Sequence, residues 1–324
     1  MRKCAIITGI YGQDGSLLAE YLMSKNYRVV GLVSKLRTNS PSLASAKIIE
    51  VDISDPNRMK EVFNNESPDE CYHLAAVHHS SEKETNADIR VKMLRVNFLS
   101  TQAILDAIIE KVPHCRFMYA GSSQMYTPVA DITVVEEATP YRPSSYYGIT
   151  KVASAQLIDL LRRERGVWGV TAILMNHESS RRGEQYLSRK VTLAVASAVK
   201  QRKGIMLHQE DKLHIRDITA RTDWSAATDF VNAFHLSLQA DAPSDYVLAS
   251  GRVHTVGELL QSAFQVAGLD WQEFVHREQL PVKVARPCLQ GNPQKAQKNL
   301  RWETQKSFNA LIREMVEYDL SNND

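Results

Sequence analysis

Short apolar runs alternate with longer amphipathic stretches over the first half of the chain. The run at 4–7 ends in a glycine-containing turn, after which Leu17, Leu18, Tyr21 and Leu22 recur at helical spacing. Further apolar runs, mostly separated by segments long enough to form helices, lie at 29–33, 48–51, 71–76, 117–120 and 170–174. This alternation predicts parallel βαβ units. Runs that are apolar throughout are typical of strands covered by helices on both faces.

The pattern changes after the last of these runs. A polar, arginine-rich stretch spans 176–190, and a helix is expected over about 191–203. We therefore predict an α/β fold, a doubly wound parallel sheet of the Rossmann type over 1–175 with a smaller, mainly substrate-binding region over 176–324 packed on it. Residues of about 222–250 are expected to return to the first domain. Such sheets bind ligands beyond the carboxyl ends of their strands, which predicts a cleft between the two parts.

Composition excludes several classes of protein. Of the 324 residues, 44% are hydrophobic and 23% charged, and Lys plus Arg (39) nearly balance Asp plus Glu (37), so no general attraction to nucleic acid or to an anionic membrane is expected. The four cysteines have no zinc-site spacing, which predicts reduced, buried thiols and no metal. No apolar run approaches about 20 residues, and the first one is too brief for a signal peptide. We expect a cytoplasmic location.

A glycine turn stands between the first apolar run and the first helix. Gly9, Gly12 and Gly15 have the spacing G-x-x-G-x-x-G. Glycines permit a tight turn and let backbone N–H groups at the helix N-terminus approach a pyrophosphate. The pattern alone is weak, but its position between a strand and a helix predicts dinucleotide binding. The alternative is a plain βα turn.

The end of the second apolar run indicates which dinucleotide binds. In NAD-preferring versions of the fold an acidic residue bonds the ribose hydroxyls here, whereas a basic residue accommodates the extra phosphate of NADP. This sequence has Ser34, Lys35 and Arg37 at that end, and no carboxylate. We therefore predict NADP as the cofactor. The alternative is an ordinary solvated basic loop.

A tyrosine and a lysine at i and i+4, Tyr147 and Lys151, lie on one face of a predicted helix. A phenol with a reference pKa of about 10 is a poor base at neutral pH, and a cation one turn away favours the phenolate. Upstream, Ser122 and Ser123 follow an apolar strand, where a hydroxyl can meet the tyrosine. A Y-x-x-x-K pair alone is often a surface pair. Combined with the glycine turn and the serine-rich strand end, it predicts a redox site.

These motifs resemble those of the extended short-chain dehydrogenase/reductases, and the resemblance covers nearly the whole chain. Within that family the sequence is most similar to the GDP-mannose 4,6-dehydratases. The stretches that carry the resemblance are ITG at 7–9, GSLLAE at 15–20, YHLAA at 72–76, NHES at 176–179, RRGE at 181–184, RK at 189–190, and DW at 223–224 followed by Asp229.

The resemblance implies roles for individual residues. Ser122, Tyr147 and Lys151 would form the catalytic triad, in which Tyr147 takes the proton of the sugar 4-hydroxyl as hydride moves from carbon 4 to NADP. Ser123 and Gln124 belong to the same catalytic strand end. The expected cofactor-binding residues are Gly9, Gly12, Asp14, Gly15, Ser34, Lys35, Arg37, Asp52, Leu74, Ala76, Tyr147, Lys151, His177 and Arg182. The expected substrate-binding residues are Asn176, Arg189, Lys190 and Arg286.

The resemblance also implies partners. The substrate would be a nucleotide sugar, whose diphosphate suits lysine and arginine side chains. The assembly would be a homodimer or homotetramer, since Arg182 matches a residue that reaches a cofactor across a subunit contact in relatives. The alternative for each basic residue is a solvated face.

The sequence departs from the dehydratase pattern at the catalytic strand end. The relatives carry Thr-Ser-Glu or Thr-Asp-Glu there, and the Glu is the general base that removes the carbon-5 proton so that water leaves from carbon 6. Gln124 stands at that position in this chain. A carboxamide has no accessible proton-transfer equilibrium at neutral pH. Elimination should therefore be slower, by about 10² to 10⁴, unless another group substitutes.

Further departures concern substrate recognition and the missing base. The segment after Arg286 lacks the family's Glu for the nucleotide ribose, and Thr222 stands where an arginine is expected. His78 and His79 lie in a changed segment just past the fourth strand. Either histidine is a candidate to replace the base, and the alternative is an inert loop histidine.

Three functions follow as hypotheses. The first is an NADP-dependent enzyme that acts by redox chemistry at carbon 4 of a GDP-mannose-like sugar without efficient dehydration. The second is the complete 4,6-dehydratase reaction with a histidine or water chain as the base. The third is an NADP-sensing binding protein, against which the Tyr147 and Lys151 pair argues because a sensor needs no proton relay.

Overall fold

The structure is a computed structural model that describes residues 2–37, 43–78, 86–204, 212–278 and 286–322. His79 therefore lies outside the described residues. The strands within these ranges are β1 (Cys4–Thr8), β2 (Arg28–Val33), β3 (Lys47–Glu50), β4 (Glu70–His73), β5 (Arg116–Ala120), β6 (Ile132–Val135), β7 (Gly169–Leu174), β8 (Asn176–Glu178), β9 (Leu213–Ile215), β10 (Arg221–Ala226), β11 (Tyr246–Leu248), β12 (Val253–Thr255), β13 (Val275–Arg277) and β14 (Cys288–Gly291).

The helices connect these strands and cover the sheets. They are α1 (Gln13–Ser24), α2 (Pro56–Glu66), α3 (Ala87–Leu94), α4 (Ser100–Lys111), α5 (Tyr146–Arg165), α6 (Leu187–Arg202), α7 (Ala227–Gln239), α8 (Val256–Val266), α9 (Trp271–Phe274), α10 (Gln294–Leu300) and α11 (Phe308–Asn322). A π-helical turn, Arg95–Leu99, joins α3 to α4, and a 3-10 turn, Ser123–Met125, follows β5.

The large sheet has the strand order β11-β7-β5-β4-β1-β2-β3, and all of its pairs are parallel. The predicted α/β, doubly wound sheet is thereby confirmed. The chain runs outward from β1 through β2 and β3, and then returns to the other side of β1 as β4. The switch point therefore lies between β1 and β4, where ligands bind in such sheets.

Two apolar layers cover the faces of this sheet. One contains residues of α1, α7 and α10 together with Trp302, and the other contains residues of α2, α4 and α5. The returning segments are thus α7, β11 and α10, of which α10 lies beyond the 222–250 range. All four cysteines are buried and free.

The remaining elements form smaller units around a third core. β12, β10 and β8 make a three-stranded sheet, while β13 pairs with β9 and β14 pairs with β6. α6, α8 and α11 pack there around Trp224. The helix predicted over about 191–203 begins earlier, at Leu187.

Within the described ranges, no helix has the length and apolar character needed to cross a bilayer, and no group of His, Cys, Asp and Glu has the arrangement of a metal site.

Candidate active site

The glycine turn after β1 is packed too tightly for side chains. Gly9 has a left-handed backbone (φ 72°), and a Cβ there would lie 2.9 Å from the Cα atom of Ala75. A Cβ on Gly15 would lie 2.3 Å from the carbonyl oxygen of Gly9. The turn leads directly into α1, beside the switch point. Backbone N–H groups at the start of that helix form a cradle that fits the pyrophosphate of a dinucleotide.

Asp14 and His177, two of the predicted cofactor-binding residues, are in direct contact. Asp14 Oδ2 lies 2.9 Å from His177 Nε2, and the other ring nitrogen bonds the carbonyl oxygen of Met175 at 2.8 Å. Burial alone would raise the pKa of Asp14, but the charge of His177 lowers it below its ordinary value. Burial would likewise lower the pKa of His177, but Asp14 raises it. The pair therefore ties the start of α1 to β8 as a charged contact.

The loop after β2 presents the three predicted selectivity residues to solvent. Ser34, Lys35 and Arg37 are exposed, and the Arg37 guanidinium lies 5.7 Å from the centre of the Tyr11 ring in the glycine turn. The structure also brings a carboxylate to this loop, since Glu50 Oε2 accepts the N–H of Leu36 at 2.9 Å. Sequence reasoning missed Glu50 because it belongs to β3, the neighbouring strand.

Three more of the predicted cofactor residues lie at the same edge of the sheet. Leu74 and Ala76 follow β4, and the hydroxyl of Thr8 accepts the N–H of Leu74 at 3.1 Å. Asp52 follows β3 and is ion-paired with Arg95.

The catalytic residues predicted from the motifs come together at the carboxyl end of β5. Ser122 precedes the 3-10 turn, and its side chain interacts with the phenol of Tyr147 on α5. Lys151, one turn further along α5, donates to the carbonyl oxygen of Ala120 at 2.7 Å. Ser145 caps α5 by accepting the N–H of Gly148 at 3.0 Å. The strand end and the start of the helix are thus held together around the Tyr147 phenol.

The electrostatics of this group differ from the expectation that Lys151 lowers the pKa of Tyr147. Burial raises the pKa of the Tyr147 phenol above its ordinary value, and the neighbouring Ser122 side chain opposes that rise. Burial also lowers the pKa of Lys151 to about 7. Both charged forms lose hydration in the same buried place, so desolvation outweighs the attraction between them in the protein alone.

A cavity of about 600 Å³ lies between the start of α6 and β9. Lys190, Arg216 and Asp217 line it. Arg286 pairs with Asp217 at 3.2 Å, so two of the predicted substrate-binding cations, Lys190 and Arg286, lie on or next to this cavity. Asn176, at the start of β8, is exposed.

The comparison with protein families covers nearly the whole chain. The sequence matches the family model of GDP-mannose 4,6 dehydratase over residues 6–315. The chain belongs to the GDP-mannose 4,6-dehydratase family. GDP-mannose 4,6 dehydratase 2 of Arabidopsis thaliana is 33% identical to it over 98% of this chain and 87% of the relative. The enzyme of Homo sapiens is 31% identical over 98% and 92% of the two chains.

Solved structures agree on the fold. UDP-glucose 4-epimerase of Thermotoga maritima, solved with UDP-glucose, superposes with a TM-score of 0.83 at 20% identity over 99% of this chain and 100% of that one. The dTDP-glucose 4,6-dehydratase of Bacillus anthracis, solved with NAD, gives 0.82 at 15% identity over 99% and 97%. RMD of Pseudomonas aeruginosa, solved with NADPH, gives 0.79 at 19% identity over 99% and 98%.

The side chain of Gln124 contacts two neighbouring side chains, those of His78 and Ser145. The side-chain nitrogen Nε2 of Gln124 lies 3.0 Å from Nε2 of His78, and its side-chain oxygen Oε1 accepts the hydroxyl proton of Ser145 at 3.1 Å. The His78 ring meets the Tyr147 ring edge-on, with centroids 4.7 Å apart. Gln124 is therefore bonded to an imidazole ring that also contacts the Tyr147 ring.

Arg182 lies close to this histidine within the same chain. Its guanidinium stacks over the Tyr186 ring at 3.8 Å and lies 3.3 Å from Glu178 Oε2. Tyr186 in turn bonds Nδ1 of His78 at 3.1 Å. Sequence reasoning missed Tyr186, which lies between the RRGE and RK stretches at 181–184 and 189–190. Ser145 could have been found, because serine is a favoured N-cap just before a helix.

Arg189, one of the predicted substrate-binding residues, has a charged partner in the interior of the protein. Arg189 is buried and its guanidinium is ion-paired with buried Asp319, between α6 and α11. A buried pair of this kind is costly to break, since the remaining charge would be left uncompensated. Arg189 therefore holds two helices together and does not face the cavity that Lys190 lines.

Proposed function

We propose that this protein is an NADP-dependent enzyme that transfers hydride at carbon 4 of a GDP-mannose-like nucleotide sugar. The observation that carries the proposal is the group of Ser122, Tyr147 and Lys151 at the end of β5, beside the glycine turn. When bound, NADP supplies the acceptor for the hydride of carbon 4 and, in a dehydratase, returns it to carbon 6. The residues that would hold it lie in the turn 9–15, on the loop after β2, and at Asp14 and His177.

The chain's own side chains provide the proton path. Tyr147 takes the proton of the sugar 4-hydroxyl as carbon 4 becomes a ketone. The neighbouring Ser122 side chain favours the phenolate form against the burial that opposes it. Lys151, anchored on the Ala120 carbonyl, keeps α5 in register with the strand end. An acid/base group fixed in this way typically contributes about 10² to 10⁴ to the rate.

The choice of NADP rests on the loop after β2. Ser34, Lys35 and Arg37 are exposed beside the turn, where a 2′-phosphate attracts cations. Glu50, whose carboxylate reaches this loop, accepts the backbone N–H of Leu36. Related folds use either cofactor, since one neighbour was solved with NADPH and others with NAD.

The choice of substrate rests on the cavity and on the curated relatives, which are named for GDP-mannose. Lys190 lines the cavity and Arg286 pairs with a carboxylate of its wall, as expected for a diphosphate site.

A second candidate is the complete 4,6-dehydration, and the contact between Gln124, His78 and Tyr147 favours it. An NADP-sensing protein is the less favoured class, because the Tyr147 group has the arrangement of a proton relay.

We propose that the enzyme is cytoplasmic and assembles at least as a homodimer. α3 and α5 pack side by side and expose Val91 (66%), Leu94 (49%) and Ile149 (52%), an apolar face that a second copy would cover. Comparing the light-scattering mass of the Val91→Glu variant with that of the unmodified protein tests this assembly. A single monomeric mass for the unmodified protein would contradict the assembly.

The test of function is a panel of nucleotide sugars incubated with the purified protein and NADP. Mass spectrometry distinguishes a change of two hydrogens from the loss of water. GDP-mannose or a close relative should react, while UDP- and dTDP-sugars serve as controls. Binding of NADP without any reaction across the panel would favour the sensor instead.

A further inference from the structure

His78 is held on three sides within the candidate site. Its ring meets Tyr147 edge-on at 4.7 Å and stacks on Tyr186 at an interplanar angle of 30°, with centroids 5.8 Å apart. Gln124 contacts Nε2 at 3.0 Å, and the Tyr186 hydroxyl contacts Nδ1 at 3.1 Å. A loop histidine without a role does not need such constraints on both ring nitrogens.

The hydrogen-bond network assigns the proton of His78. The Ser145 hydroxyl oxygen accepts the N–H of Gly148, so its own proton goes to the Gln124 carbonyl oxygen. The Gln124 NH₂ group then faces His78 and donates to Nε2. With Nε2 as the acceptor, the neutral ring carries its proton on Nδ1 and donates it to Tyr186. The basic nitrogen therefore lies on the Gln124 side of the ring.

The backbone before His78 is fixed as firmly as its ring. The buried amide of Asn97 accepts the N–H of Val77 at 2.7 Å and donates to the Val77 carbonyl oxygen at 3.1 Å. The same amide donates to Thr150, one residue before Lys151 on α5. Asn97 thus holds the His78 segment against the helix that carries the catalytic tyrosine.

We propose that His78 is the general base that removes the carbon-5 proton, in place of the Glu of the family. This inference rests on the proposed oxidation at carbon 4, because a neighbouring ketone makes that proton acidic. Nε2 of His78 lies within 3.0 Å of the Gln124 amide. The imidazole therefore reaches the region that the family's carboxylate would serve, once the sugar displaces that amide contact.

The step balances without a further reactant. The C5–H bond breaks and its proton goes to Nε2 of His78, while the electron pair forms the C5=C6 double bond and the C6–O bond breaks. The leaving hydroxide takes the proton from the imidazolium and departs as water. The hydride removed from carbon 4 ends on carbon 6, and the proton that carbon 5 regains balances the one that Tyr147 took from the 4-hydroxyl. The product is a 4-keto-6-deoxy sugar.

The test separates the two steps. GDP-mannose and NADP are mixed with the full-length protein in D₂O, and mass spectrometry and NMR measure water loss, deuterium at carbon 5 and the 4-keto sugar. In His78→Asn, the ratio of water loss to carbon-4 oxidation should fall by about 10² or more. His114→Asn, an exposed histidine between α4 and β5, should leave that ratio unchanged.

A carboxylate at position 124 provides the rescue. His78→Asn combined with Gln124→Glu should regain water loss and carbon-5 exchange, since the family's base is then restored. His78→Gln, with NADP binding measured by calorimetry, repeats the test if the asparagine variant does not fold.

Distinct results would overturn each idea. Water loss at the unmodified ratio in folded His78→Asn would exclude His78 as the base. So would an unmodified protein that oxidises carbon 4 but neither loses water nor exchanges the carbon-5 proton, although the proposed function would then stand. No oxidation of any sugar by the unmodified protein would instead refute the proposed function.

Discussion

Gly148 is the point at which helix α5 touches the strand end that carries Gln124. A Cβ at this position would lie 2.2 Å from the backbone carbonyl oxygen of Gln124, whereas ordinary contacts begin near 3.4 Å. In Gly148→Ala the two segments must therefore separate by about 1 Å. Overpacking of this kind costs about 1–3 kcal/mol, and the helix preference of alanine offsets at most about 1 kcal/mol. We expect the free energy of unfolding to fall by about 1–2 kcal/mol.

The same displacement should affect turnover more than stability. Tyr147 precedes Gly148 and Ser122 lies two residues before Gln124, so the movement should draw the Tyr147 phenol away from the Ser122 side chain that interacts with it. A misplacement of about 1 Å at a reacting centre can cost on the order of 10²-fold in rate. Single-turnover absorbance of NADPH with GDP-mannose measures this loss, and urea unfolding measures the stability. NADP binding should change little because the glycine turn is not touched.

Gly166→Ala is the matched control at the other end of α5. Gly166 has a left-handed backbone (φ 67°), and a Cβ there would meet no atom within 4 Å. Its replacement should cost a comparable amount, about 1–2 kcal/mol, through backbone strain alone and leave turnover unchanged. Equal turnover in both variants would refute the reasoning that this contact sets the catalytic geometry.

Three other expectations can be checked independently. NADP should bind at least about tenfold more tightly than NAD, a difference of about 1.4 kcal/mol, and Arg37→Asp should reduce that preference; calorimetry showing equal affinities in the unmodified protein would reject it. Tyr147→Phe should remove nearly all turnover while keeping NADP binding, and surviving turnover would move the acid/base role elsewhere. Burial lowers the pKa of His73 to about 3, so as pH falls below 6.5 the unfolded state gains a proton that the native state does not. The free energy of unfolding should then decline by up to about 1.4 kcal/mol per pH unit between those values, a slope that His73→Gln should flatten in urea titrations.

The large sheet could be predicted because its strands are covered on both faces. Such strands are apolar throughout, and their spacing left room for helices, so the order of elements followed from the pattern. The residue at which β4 ends could not be predicted from the apolar pattern. Apolar residues continue to Ala76, but the hydroxyl of Thr8 takes the N–H groups of Leu74 and Ala75, and pairing stops at His73.

The candidate site likewise contains parts that could be predicted from the sequence and parts that could not. The glycine turn and the pair of Tyr147 and Lys151 are local spacings, and local spacings can be seen in a sequence. The partners of Asp14 and Arg189 lie 163 and 130 residues away along the chain. Nothing in the local sequence distinguishes an arginine that binds a phosphate from one that closes an interior ion pair. Only the tertiary structure separates Arg189 from its neighbour Lys190.

The later segments that complete the large sheet determine which parts of this chain can be removed or exchanged with those of relatives. A fragment that ended at residue 175 would expose the edge of β7, which β11 now pairs, and would remove Phe230, Phe234 and Trp302 from the apolar layer beneath α1. It would also leave Asp14 without His177. The cofactor-binding part is therefore not a portable module. A chimera that exchanges sugar specificity between relatives would have to keep α7, β11 and the segment 294–302 with the first 175 residues and confine the exchange to the other segments.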